Sequence, residues 1–404
     1  MEFAGTIALM IGVCCCTVSK AQYEDDNVRF TTVPLERADS LFRTLRDPVL
    51  LDVRSIEEYE CRAPYTFAMV GRMKGAMNIP IDSFELRYTD LAPHKERDVV
   101  VYCWTSQRSR RVASALADSG FTRVFNLNGG LSQYWVEQTE RLASLRERIE
   151  VDLPYTLITG MELCERLAKD PSVQLIDLRS DSAFRWLPGH EIDRDWGRLR
   201  SARNIPFDAI QARRPEIDLS KPIMLIDGRD REPEAARILV DMGATDVRVV
   251  FRGYSGLAGY GERHCPCREA IMEYGAPYRE VADYDLRPTD LTTRFTHIID
   301  VRSDEEYTNT HKQSWRNIGR MKGALHVPSG GISSSGAIAG LDRHAEVLVY
   351  AYSANKEAKA AAQSLCDLGF TKVHVLTRGL FGLRWTANNI SGYGYLNDHV
   401  ENVP

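Results

Sequence analysis

LLDVRSIEEY at residues 50–59 returns as LIDLRSDSAF at 175–184 and as IIDVRSDEEY at 298–307, and this threefold writing of one motif governs the reading of the rest of the chain. Three further landmarks follow each copy in the same order. GRMKGAMNIP (71–80) is matched by GRLRSARNIP (197–206) and GRMKGALHVP (319–328). VVVYCWTSQRS (99–109) is matched by IMLIDGRDRE (223–232) and VLVYAYSANK (347–356). GFTRVFNLNGGLSQYW (120–135) is matched by GATDVRVVFRGYSGLAGY (243–260) and GFTKVHVLTRGLFGLRW (369–385). Four ordered matches in three places establish an internal repeat with a period near 124 residues, and a repeat of that length is a domain.

Within each repeat the pattern alternates between strand and helix. Continuous apolar runs such as Val49 to Val53 and Val99 to Tyr102 suit strands covered on both faces. Ser109 to Ser119 shows helical spacing, with Val112, Ala115 and Leu116 on one side and Gly120 as the stop. The expected fold class is α/β: three tandem domains, each a mainly parallel sheet with helices on both faces, in which ligands bind beyond the carboxyl ends of the strands. The expected boundaries are 28–140, 150–262 and 286–390, with a linker at 263–285.

Composition narrows the function classes. The 404 residues are 44% hydrophobic and 26% charged, with a net charge of −5, so no basic surplus speaks for a nucleic-acid partner. The apolar run from Phe3 to Val18, followed by Ser19 and Ala21, predicts a signal peptide over 1–21, cleaved after Ala21, and an exported protein, periplasmic or secreted. Glu2 and the lack of Lys or Arg ahead of that run count against export, while Cys14, Cys15 and Cys16 raise the alternative of a lipid anchor. No segment is long and apolar enough to predict a membrane span.

The opening D-V-R-x-x-x-E-Y, the G-x-x-x-G-A-x-N-I-P segment and the cysteine ending a hydrophobic strand resemble the rhodanese-like sulfurtransferase family, over about 110 residues in each repeat. The resemblance is strongest in the first repeat and loosest in the second, where Leu187 to Asp195 reads as an insertion. It implies a sulfurtransferase without cofactor or metal, acting through a persulfide on Cys103. A turn leading into a helix starting near Ser109 would cradle the thiolate with the backbone of Trp104, Thr105, Ser106, Gln107, Arg108 and Ser109 and lower its pKa. Arg108 would hold an anionic donor such as thiosulfate, Arg110 and Arg111 would add positive potential, and a thiol, cyanide or protein acceptor would remove the sulfur.

Asp52 and Arg54 are expected to pair and hold the loop. Cys61 is a candidate sulfur acceptor or resolving thiol, against an ordinary buried thiol. Family loops carry Gly three residues after the cysteine, where this chain has Ser106. The loop is C-x4-R, which favours sulfur transfer over the C-x5-R chemistry of phosphatases and arsenate reductases. Asp227 and Ala351 replace the cysteine in the later repeats, which are therefore read as non-catalytic. HCPCRE at 264–269 leaves three alternatives for Cys265 and Cys267: a disulfide or redox pair, half of a metal site, or independent thiols. The rival to an enzyme is a partner-binding or redox-sensing scaffold.

Overall fold

The computed structural model describes residues 29–63, 68–136, 142–187, 196–353, 356–390 and 392–404. The predicted signal peptide and nearly all of the predicted insertion at 187–195 lie outside the described residues. Each repeat folds as an α/β unit on a five-stranded sheet whose neighbours all run parallel. In the first unit the spatial order is 31–34, 124–128, 99–102, 49–52, 77–78. The second unit repeats it as 156–158, 247–250, 223–226, 174–177, 203–204, and the third as 279–281, 373–376, 347–350, 297–300, 325–326.

The central strands explain why the apolar runs carry no alternation. All four residues of Val99–Tyr102, Ile223–Ile226 and Val347–Tyr350 are buried, because helices cover both sheet faces. Burying four such side chains at roughly 1.5–3 kcal/mol each makes this strand the most costly in each unit to displace. A residue immediately after it is thereby fixed in place.

Helix Gln107–Asp118 begins two residues before the expected Ser109, and its buried positions are Ser109, Val112, Ala113 and Leu116. Ala113, not Ala115, completes the inward face, because 109, 112, 113 and 116 follow the 3.6-residue repeat from a start at Gln107. Gly120, with φ +86°, ends it through Phe121 N–H bonding to Leu116 O at 3.1 Å.

The expected linker does not stand apart. After each sheet the chain returns to make a short antiparallel pair with the second landmark: 72–73 with 149–150, 198–199 with 272–273, and 320–321 with 400–401. Arg72, Arg198 and Arg320 form ion pairs with Glu150, Glu273 and Glu401 across these pairs. A Cβ on Gly71, Gly197 or Gly319 would lie 2.2, 2.5 and 2.5 Å from the carbonyl of that same glutamate. Residues 263–273 therefore belong to the second unit and 279–285 to the third, whose first strand is Arg279–Val281. The units end near 150, 273 and 401 rather than 140, 262 and 390. The first two units share a core in which Trp135 packs 5.8 Å from Phe251.

Candidate active site

Strand Val99–Tyr102 delivers Cys103 to the carboxyl edge of the first sheet. Its turn is pinned from behind: Leu131 N–H donates to Cys103 O at 3.1 Å and Ser132 N–H to Trp104 O at 2.8 Å. Gly130 makes this close approach feasible, since a Cβ there would sit 2.4 Å from Cys103 O. Ser106 closes the turn at φ +90°, the left-handed region where family loops place glycine.

Within the turn, Ser106 N–H donates to Cys103 Sγ at 3.1 Å, and Ser109 Oγ lies 3.5 Å from the same sulfur. Ser109 Oγ also lies 2.7 Å from Asn126 Oδ1, and Asn126 Nδ2 donates to Ser106 Oγ at 3.0 Å. Asn126 is fully buried on the neighbouring strand and holds both serines that face the sulfur. It was not among the residues expected from sequence. The signal was present: the corresponding positions in the other repeats are Val249 and Val375, so this position of the strand is polar in the repeat that carries the cysteine and apolar in the other two.

The expectation of a full ring of inward amides reduces to the Ser106 amide and the Ser109 hydroxyl among the described contacts. Both lie at the head of a 12-residue helix with no acid in its first turn, so its positive end is unopposed. Trp104 and Thr105 are half-buried and Gln107 is exposed. The Trp104 ring meets Phe251 of the second unit edge-on at 6.2 Å. Cys103 itself is 1% exposed.

Arg108 is engaged by Glu58: Nη2 donates to Oε1 at 2.7 Å, and Nη1 donates to Oε2. Glu58 is the third residue of helix Ile56–Tyr59 and closes a capping box with Ser55. Burial works to raise the Glu58 carboxyl, but the Arg108 hydrogen bonds, the Ser55 N–H and the nearby guanidinium charges outweigh it and hold the group below its usual range. Arg110 is half-buried and Arg111 exposed on the same helix.

Asp52 and Arg54 pair as expected and are fully buried. Arg54 Nη2 donates to Asp52 Oδ2 at 2.7 Å and to Gly71 O at 2.7 Å, while the Tyr102 hydroxyl accepts Met73 N–H at 3.0 Å. The pair ties the strand end to the second landmark and recurs as Asp177–Arg179 and Asp300–Arg302. Cys61 is 1% exposed at φ +55° and packs with Ala63, Ala68 and Met69 in a small cluster separate from the one holding Cys103.

The other two cradles differ in kind. In the second unit Asp227 receives Arg231 Nε at 2.7 Å, and the Glu232 carboxylate accepts Asp227 N–H at 2.9 Å, filling with the chain's own acid the space where an anion would sit. Burial, with Asp227 adding to it, pushes the Glu232 carboxyl well above its ordinary range. In the third unit Ala351 is buried and offers no reactive atom. Of the HCPCRE cysteines, Cys267 is bonded to Cys164 rather than to Cys265, and Cys265 remains a thiol.

The rhodanese-like domain profile matches residues 37–137, 161–259 and 288–384, once in each of the three sheets. The chain belongs to the rhodanese-like domain family. Among curated proteins it is similar to the tRNA uridine(34) hydroxylase of Enterobacter sp. (strain 638), 28% identical over 92 residues, covering 22% of this chain and 24% of the relative. The hydroxylase of Yersinia enterocolitica is 29% identical over 104 residues, covering 24% of this chain and 27% of the relative. The chain thus spans about a quarter of the length of these relatives. Among solved structures it is similar to the thiosulfate sulfurtransferase of Pseudomonas aeruginosa, 17% identical, covering 86% of this chain and 66% of that one, with a TM-score of 0.23. Among the described residues no helix is long and apolar enough to cross a membrane.

Proposed function

We propose that the protein is an exported sulfurtransferase that moves sulfane sulfur from thiosulfate or a similar donor to a thiol, cyanide or protein acceptor through a persulfide on Cys103. The observation that carries this reading is Cys103 Sγ held 3.1 Å from the Ser106 amide at the unopposed N-terminus of a helix. The backbone N–H and the positive end of the helix both point at the place where a sulfur nucleophile and its terminal sulfur would sit. The Cys103 thiolate attacks the outer sulfur of the donor, the donor S–S bond breaks, and its electron pair leaves on sulfite. The acceptor then attacks the terminal sulfur of the persulfide, and the Cys103 thiolate returns.

With Cys103 1% exposed and Arg108 engaged by Glu58, the resting loop is closed, and a donor enters by drawing Arg108 away from Glu58. That same closure favours a second reading, a partner-binding or redox-sensing scaffold in which no turnover occurs. The hydroxylase relatives are named for tRNA, but a net charge of −5 speaks against that substrate here. The test is mass spectrometry after incubation with thiosulfate. Enzyme predicts one added sulfur atom on the Cys103 peptide, sulfite released in equal amount, and loss of both in Cys103→Ser. An unmodified peptide without sulfite supports the scaffold.

A further inference from the structure

The second unit contains sulfur chemistry of its own, on the side formed by helix Gly160–Lys169 and the HCPCRE segment. Cys164 lies on that helix and is bonded to Cys267, while Cys265, fully buried, places its Sγ 3.4 Å from Cys164 Sγ. All three sulfurs lie within 4.8 Å of one another. Cys267 N–H donates to Cys164 Sγ at 3.2 Å, so the backbone of the segment is itself held against the shared sulfur. The packing is tight: a Cβ on Gly160 would lie 2.7 Å from His264 O and 2.9 Å from Cys265 Cβ. A thiol at van der Waals distance from a disulfide can exchange with it once its sulfur swings into line with the bond that breaks and is deprotonated.

We propose that Cys164, Cys265 and Cys267 form a second reactive-sulfur site, at which Cys265 exchanges with the Cys164–Cys267 disulfide and delivers Cys267 as a thiol that takes up a small disulfide. In the first step Cys265 loses its proton to solvent and its sulfur bonds to Cys164 Sγ. The Cys164–Cys267 bond breaks, and its electron pair leaves on Cys267. The step is redox-neutral. It converts a thiol buried at 0% exposure into one at a half-exposed position, so the reactive group reaches the surface without a change of fold. The Cys267 thiolate then attacks a small disulfide RS–SR, forming Cys267–S–SR and releasing RS⁻.

Burial pushes the Cys265 thiol up to about 12, with the nearby Arg268 guanidinium pulling the other way and His264 neutral beside it. Exchange is therefore slow near neutrality, and the Cys164–Cys267 bond is the resting state. The site is independent of Cys103 and needs no sulfur donor.

The test uses the full-length protein with oxidised glutathione at about pH 9, acid quenching, and peptic mapping at low pH to prevent scrambling. The expected result is glutathione on Cys267 together with a Cys164–Cys265 crosslink, in equal amounts. Cys265→Ser, which leaves the resting disulfide intact, should lose the Cys267 adduct. Cys267→Ser under the same oxidant should form the Cys164–Cys265 crosslink. Glutathione on Cys265, no adduct at all, or an adduct on Cys267 that persists in Cys265→Ser would each overturn the proposal.

Discussion

Replacing Glu58 by Gln tests how the closed loop admits its donor. Glu58 holds Arg108 through two hydrogen bonds, one of 2.7 Å, with side-chain exposures of 10% and 30%. A dianionic donor drawn to Arg108 must compete with this carboxylate. At a separation of about 6 Å and an effective dielectric near 20, one unit of negative charge on the donor meets about 2.8 kcal/mol of repulsion, which salt screening reduces to roughly half. Glu58→Gln removes that charge and keeps the Ser55 capping box, which accepts either residue. About 1.4 kcal/mol corresponds to a tenfold fall in KM for thiosulfate. The fold should lose no more than about 1 kcal/mol, the ceiling for a partly exposed pair. Initial rates of thiosulfate-to-cyanide transfer measure this directly, and the gain should shrink at high salt. Arg108→Ala should raise KM instead. A Glu58→Gln enzyme that folds normally but shows an unchanged or higher KM would refute the competition and make the pair purely structural.

Gly130→Ala forces a Cβ to 2.4 Å from Cys103 O in left-handed backbone at φ +53°, and should cost more than about 2 kcal/mol and slow alkylation of Cys103 at least tenfold. Gly75→Ala, equally left-handed at φ +74° but in open space, should cost only about 1 kcal/mol, so equal denaturant midpoints for the two variants would contradict the packing argument. His264 is held neutral by burial, down to about 4. The unfolded chain binds this proton below about pH 6.5 while the folded chain refuses it, so stability falls with pH through that window and levels off near pH 4. Between pH 7 and 5 the loss should be about 2 kcal/mol, and His264→Phe should flatten it; a slope unchanged in that variant would place the titration elsewhere.

Much of this architecture is readable before any coordinates. The apolar runs ending at Tyr102, Ile226 and Tyr350 announce the central strands, and the recurring D-x-R announces the buried pairs at their ends. The position of Cys103 follows from those two signals alone. The rest depends on contacts distant in sequence. Glu58 lies 50 residues from Arg108, and nothing local marks it as that arginine's partner. Cys164 lies 103 residues from Cys267, in a helix whose own pattern is satisfied without a disulfide. Asn126 is inconspicuous for another reason: within VFNLN it reads as one polar interruption of a strand, and its meaning appears only on comparison with Val249 and Val375. Ser106 stands out in the sequence as a departure from glycine, and the structure places it at φ +90° with its hydroxyl held by Asn126, an anchorage that offsets part of the roughly 1–2 kcal/mol such backbone costs.

The closing pairs at Glu150, Glu273 and Glu401 also set a clock for biogenesis. Arg72 must wait for a partner made 78 residues later, Arg198 for one 75 later and Arg320 for one 81 later. At roughly 5–20 residues per second, each of these arginines waits about 4 to 16 s for its partner, and the last strands of its sheet are made within that wait.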